Sequence, residues 1–193
     1  PIFIACTNYS FFALCLSGKV YEYKISDDTN SDLEFKEVKE LLEDKIISIS
    51  GTSLHCVAIG KKGDIYVQGS NEYGQIITLE DHSSFSPKFI KINDEIKNKI
   101  QIKGAIRNVY AGKTHTIFQN NEGQIISCGQ NSLNELLLEP ENNEKTLSDS
   151  INFPQNSVVS QSARFCIAGD ELSIVFCSCD PPVNTPNRKI KFH

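Results

Sequence analysis

Apolar residues in this chain come in short bursts, each closed by glycine, asparagine or a charged pair. Leu54, Val57, Ala58 and Ile59 run up to Lys61-Lys62-Gly63-Asp64, and Ile65, Tyr66 and Val67 follow. Further on, Thr116, Ile117 and Phe118 lead to Asn120-Asn121-Glu122-Gly123, and Ile125 and Ile126 follow. Runs of about four to six residues rich in β-branched and aromatic types, bounded in this way, predict strands joined by tight hairpins. Gly63 and Gly123 would supply the positive φ of each turn. Gly69 and Gly129 close the second strand of each hairpin, where a side chain would crowd a neighbour. Further runs precede the hairpins at 45–49 and 106–111, and another follows the first at 87–92, with Pro87 at its mouth as an edge strand tolerates.

The two hairpins repeat each other. His55 and His115, Gly63 and Gly123, Gly69 and Gly129, and Asn71 and Asn131 are all sixty positions apart. The chain has only 4 His and 11 Gly, so a single shared offset marks a repeat architecture. Glycine also precedes each histidine, as Gly51 and Gly112. Weaker copies flank these two. Residues 10–21 align with 55–66, with Ser10 in the histidine position, and Ala168-Gly169 with the strand after it aligns with Ala111-Gly112 but lacks the histidine. Four short antiparallel strands per repeat form the blade of a β-propeller. The expected fold is therefore all-β, a partial or small β-propeller of about three to four blades of four antiparallel strands. Blades are expected at roughly 1–44, 45–104 and 105–160, with a partial one at 161–180 and a Pro-rich, basic tail at 181–193.

Gly-x-x-His or Gly-x-x-x-His, an apolar strand, a turn leading to Ile65-Tyr66, and then Gly69-Ser70-Asn71-Glu72-Tyr73-Gly74-Gln75 resemble the repeat of the regulator-of-chromosome-condensation family. The resemblance is strong from about Ile46 to Leu133; the second copy, Gly129-Gln130-Asn131, lacks the Tyr-Gly-Gln. It implies a propeller of about seven blades, of which this chain holds about half. Repeat blades without a catalytic constellation point to an interaction scaffold; the resemblance implies two alternatives, a guanine-nucleotide exchange factor for a small GTPase or a regulatory propeller within a larger multidomain protein.

Composition narrows the partners. A net charge of −5 argues against nucleic acid or an anionic membrane bound by bulk electrostatics. No apolar run approaches the ~18 residues of a membrane span. Seven cysteines, most of them on or beside predicted strands, read as small buried apolar residues in a reducing, intracellular setting, cytoplasmic or nuclear.

Candidate chemistry falls away on inspection. Gly112-Lys113-Thr114 resembles the end of a phosphate loop, but the other glycine position holds Arg107 and no helix follows. Asp28-x-Asn30-x-Asp32 opens like a calcium loop, yet its sharp-turn position holds Leu33 and its bidentate position Lys39. Cys177-x-Cys179 lacks the second pair that zinc needs. No catalytic residue, metal or cofactor is expected. His55 and His115 are read as structural, each tying strands or blades through a ring N–H to a backbone carbonyl. Function is expected on loops that a rigid scaffold presents to a protein partner. The candidates are Asn71, Glu72 and Tyr73, then Glu80 and Asp81, then Glu139, Glu141 and Glu144. An open arc of blades would expose sheet faces and favour self-association, unless residues 189–192 close the ring.

Overall fold

The computed structural model describes residues 1–25, 34–76, 85–92, 104–132, 163–170 and 172–177, with Asp94 and Leu136 as single positions. The acidic candidates Glu80, Asp81, Glu139, Glu141 and Glu144, the calcium-like segment at Asp28–Asp32, Cys179, and the proposed tail and closing strand lie outside the described residues.

Sheet one holds β1 (Phe3–Cys6), β2 (Ser10–Leu14), β3 (Val20–Lys24) and the short β4 (Lys36–Glu37), in that order. Sheet two holds β5 (Ile46–Thr52), β6 (His55–Gly60), β7 (Ile65–Ser70) and β8 (Phe85–Lys91). Sheet three holds β9 (Ile106–Ala111), β10 (His115–Asn120) and β11 (Ile125–Gly129), and a last pair is β12 (Ala163–Ala168) with β13 (Ser173–Cys177). Every pairing is antiparallel between chain neighbours, so each sheet is a meander. The first strand of each sheet packs on the first strand of the next: β1 on β5, β5 on β9, β9 on β12. The fold is an arc of a β-propeller, as the repeats imply.

The charged stretch at 35–42, whose sequence offers a short helix face but fits strand then loop better by the repeat, is β4 followed by one 3-10 turn at Lys39–Leu41. Pro87 falls inside β8 rather than at its mouth, on an outermost strand where a missing N–H costs no ladder bond.

Burial follows from the stacking. All six residues of β6 and all six of β10 are buried, because each lies mid-sheet with a sheet on both faces. That explains why 55–60 reads as a continuous apolar run rather than an alternating one. Alternate side chains serve different cores. Cys56 and Ala58 face sheet one, where they meet Ala5, Phe12, Tyr66 and Phe89. Val57 and Ile59 face sheet three, among Val109, Phe118, Ile126 and Cys128. The first core mixes small residues and aliphatics with aromatics; Phe12 and Phe89 meet edge-to-face, centroids 5.5 Å apart. The second is mainly aliphatic.

The innermost strands raise a different problem. β9 ends its sheet, so part of its backbone lacks a ladder partner. Serines of β5 supply it: Val109 N donates to Ser48 Oγ at 3.3 Å and Ala111 N to Ser50 Oγ at 2.9 Å.

Candidate repeat junctions and loop face

The recurring residues meet at one end of the sheets. His55 stands opposite Gly69, and His115 opposite Gly129, in the registers of their hairpins. Gly69 has φ +107 and Gly129 φ +113, values that L side chains avoid. A Cβ at Gly69 would also lie 2.6 Å from His55 Cα and still closer to the Leu54 carbonyl oxygen, and Gly129 meets His115 and Thr114 in the same way. Gly63 and Gly123 occupy equivalent hairpin turns, with φ +83 and +81. Gly112 lies under the His115 ring, so a Cβ there would strike the imidazole. Gly51 packs against Cys56, whose Sγ would lie 3.1 Å from an added Cβ.

Each imidazole crosses to the next sheet. His55 Nε2 lies 2.7 Å from Thr116 Oγ1, and His115 Nε2 lies 2.8 Å from Ser173 Oγ. The partner is thus a side-chain hydroxyl in the following blade and not the backbone carbonyl that sequence suggested. Thr116 Oγ1 also donates its single proton to the Gln75 carbonyl at 2.8 Å. It must therefore accept from His55, which places the His55 proton on Nε2. Burial, and secondarily the charge of His115, holds the His55 pKa down to about 3, so the ring is neutral. Burial likewise pushes the Cys56 and Cys128 thiols up, which makes them packing residues rather than nucleophiles.

A second recurring device was missed from sequence. Ile76 N donates to Asn71 Oδ1 at 3.2 Å, and Leu136 N donates to Asn131 Oδ1 at 3.0 Å. In both repeats an asparagine side chain captures the backbone N–H five residues on and turns the chain inward. Gln75 and Ile76 are thereby buried between sheets two and three, where the Gln75 carbonyl also accepts from Cys128 Sγ at 3.4 Å. Leu136 is buried in turn, and its carbonyl accepts from Ser127 Oγ at 2.6 Å. Asn71 is therefore wholly buried and positions the loop; of the three neighbouring candidates, only Glu72 and Tyr73 reach solvent. The signal was present in the sequence, as an asparagine and a following aliphatic residue sharing the repeat offset.

This geometry has relatives. No family model matches the chain. Protein RCC1 of Candida albicans is 26% identical over 88 residues, 46% of this chain and 19% of that protein. The probable E3 ubiquitin-protein ligase HERC6 of Homo sapiens is 25% identical over 148 residues, 72% of this chain and 14% of that one. Yeast RCC1 (Prp20), in a crystal structure bound to Kap60, superposes with a TM-score of 0.63 at 16% identity, over 91% of this chain and 41% of its own. The chain shares the repeat pattern and the propeller fold of the RCC1-type proteins. It spans less than a fifth of the curated relatives it matches (19% and 14% for these two), and under half of the Prp20 chain. A second Prp20 structure, from Saccharomyces cerevisiae, gives a TM-score of 0.64 over 91% of this chain; that protein's binding to Gsp1p and histones has been described.

Within the RCC1-type frame, no cluster of His, Cys, Asp or Glu among the described residues could hold a metal ion. Nor is any helix among them long and apolar enough to cross a membrane.

Proposed function

We propose that this chain acts as a protein-interaction module, with RCC1-type blades as the rigid frame and the loops at the histidine end as the contact surface. The observation that carries this is the spacing of roles within one loop. Asn71, Gln75 and Ile76 are buried and fix the backbone, while Glu72 is exposed and Tyr73 half-exposed at its tip. A loop anchored on both sides presents its tip at little entropic cost, which favours binding. Glu80, Asp81, Glu139, Glu141 and Glu144 are proposed to extend this surface with negative charge, in keeping with the net charge of −5. Affinity capture with the intact chain and with a Glu72→Lys/Tyr73→Ser variant tests the reading. Partner recovery should fall about tenfold, as for loss of an interface anchor; undiminished recovery would contradict it.

The finer reading is action on a small GTPase. It is supported by likeness over 91% of the chain to Prp20, whose binding to Gsp1p has been described. Stimulated release of labelled guanine nucleotide from a panel of purified small GTPases tests it, and absence of release across the panel removes it. A reducing, intracellular setting is proposed as well, supported by the free thiols of Cys6, Cys15, Cys56, Cys128 and Cys166.

A further inference from the structure

The junction between sheets one and two departs from the others. By register, Ser10 opposite Lys24 occupies the place that His55 opposite Gly69 and His115 opposite Gly129 hold elsewhere. Both defining residues of the repeat are therefore replaced in the first blade. Ser10 is too short to cross to the next sheet, and its Oγ turns instead to Glu22 Oε1 at 2.6 Å, within its own sheet. Position 26, which corresponds to Asn71 and Asn131, is a serine in sequence. What remains at this junction is an open cleft of about 410 Å³, within the usual range for ligand sites.

Tyr9, Ile25, Leu54, Phe85 and Pro87 give the cleft apolar walls, and Ser10, Glu22, Lys24 and Gln68 supply its polar groups. Tyr9, at 63% exposure, and Phe85, at 57%, stand at its rim as large unpartnered side chains. The molecule itself shows what fits such a seat. At the next junction the corresponding space is taken by an inward-turned strand of backbone with one aliphatic side chain, Gln75-Ile76, whose carbonyl is held by Thr116 and Cys128. Gln68 stands where Cys128 stands in the following repeat, sixty positions earlier.

We infer that this cleft receives an extended peptide segment of a partner protein, with an aliphatic side chain among Tyr9, Leu54 and Phe85 and an adjacent Lys or Arg paired with Glu22. The backbone-plus-aliphatic shape follows from the filled junction. The basic residue follows from Glu22, whose carboxylate uses one of its acceptor sites on Ser10 and makes no ion pair with Lys24, the other charged residue of the lining. This rests on the interaction-module reading and assigns it a second site, whose lining does not include Glu72 or Tyr73.

The test is selection of random displayed peptides against the full chain, followed by affinity and amide-shift mapping with an enriched synthetic peptide. Enriched sequences should carry an aliphatic residue beside Lys or Arg. Their footprint should fall on Tyr9, Leu54 and Gln68. Phe85→Asp, at an exposed position, and Glu22→Gln, which keeps an acceptor for Ser10, should each weaken binding about tenfold with the melting temperature unchanged, as for a lost hot spot. A footprint confined to Glu72 and Tyr73 would overturn the cleft while leaving the module reading intact. Failure to enrich any peptide would overturn it too. Binding only by a variant lacking residues 26–33 would show that the chain fills its own cleft, with the same consequence.

Discussion

His55 and Gly69 face each other across a strand pair, and the backbone of the first occupies the space where a Cβ of the second would stand. The same relationship recurs between His115 and Gly129. The glycine and the histidine of the repeat are thus one feature. The glycine lets the hairpin pinch shut under the imidazole, and the imidazole then reaches outward to the next blade.

That pinch separates glycines that look alike in sequence. Gly63 has φ +83 with nothing within 4 Å of an added Cβ, so Gly63→Ala carries only the left-handed penalty, about 1 kcal/mol. Gly69→Ala adds a collision with Leu54 and His55 to a similar penalty, and should cost ~3 kcal/mol or more. Urea titration of the two variants checks this. Equal losses would mean that the hairpin is not closed as described.

The buried imidazole sets an acid limit. His55 is neutral in the fold down to about pH 3, whereas the unfolded ring titrates near the ordinary imidazole value of 6.5. Between these values the unfolded chain binds the extra proton, so stability is full above about pH 6.5 and falls as pH drops toward 3, by up to ~1.4 kcal/mol per pH unit for one group. A His55→Gln variant, less stable at neutral pH, should lose this part of the slope. Parallel stability–pH curves for the two proteins would contradict the assignment.

The first sheet has an open face. Ile4, at 69% exposure, Phe11 and Phe35 point away from sheet two, and Tyr23 bridges the two phenylalanines with centroids 6.3 and 5.7 Å away. Apolar side chains this continuous favour association. The isolated 193-residue chain should sediment above its 21.5 kDa monomer mass as concentration rises, and an Ile4→Lys/Phe35→Ser variant should return it to monomer. A parent chain that stays monomeric at high concentration would sink this expectation.

Much of the fold was legible because its signals are local. Turn glycines and β-branched runs need only their neighbours, and a shared offset among scarce histidines and glycines exposed the repeat. What stayed hidden depends on the next blade. Thr116 and Ser173 look ordinary in sequence until each is seen to receive a histidine from the preceding sheet. Asn71 read as a surface contact, since a polar residue beside glycines has no local reason to be buried; its reason is Ile76, five positions on. The cleft between sheets one and two was invisible for the same cause. Ser10 was seen to replace a histidine, but its effect lies across a junction, where the missing side chain leaves space against Leu54 and Phe85.

The most direct test of stacked, imidazole-linked blades is a double-mutant cycle on His55 and Thr116, residues from different repeats whose side chains meet at 2.7 Å. Stability of His55→Ala, Thr116→Val and the double variant should show a coupling of about 1 kcal/mol, as for residues sharing a buried hydrogen bond. Losses that add to within ~0.3 kcal/mol would mean that the two residues do not touch, and the blades would not be joined in this way.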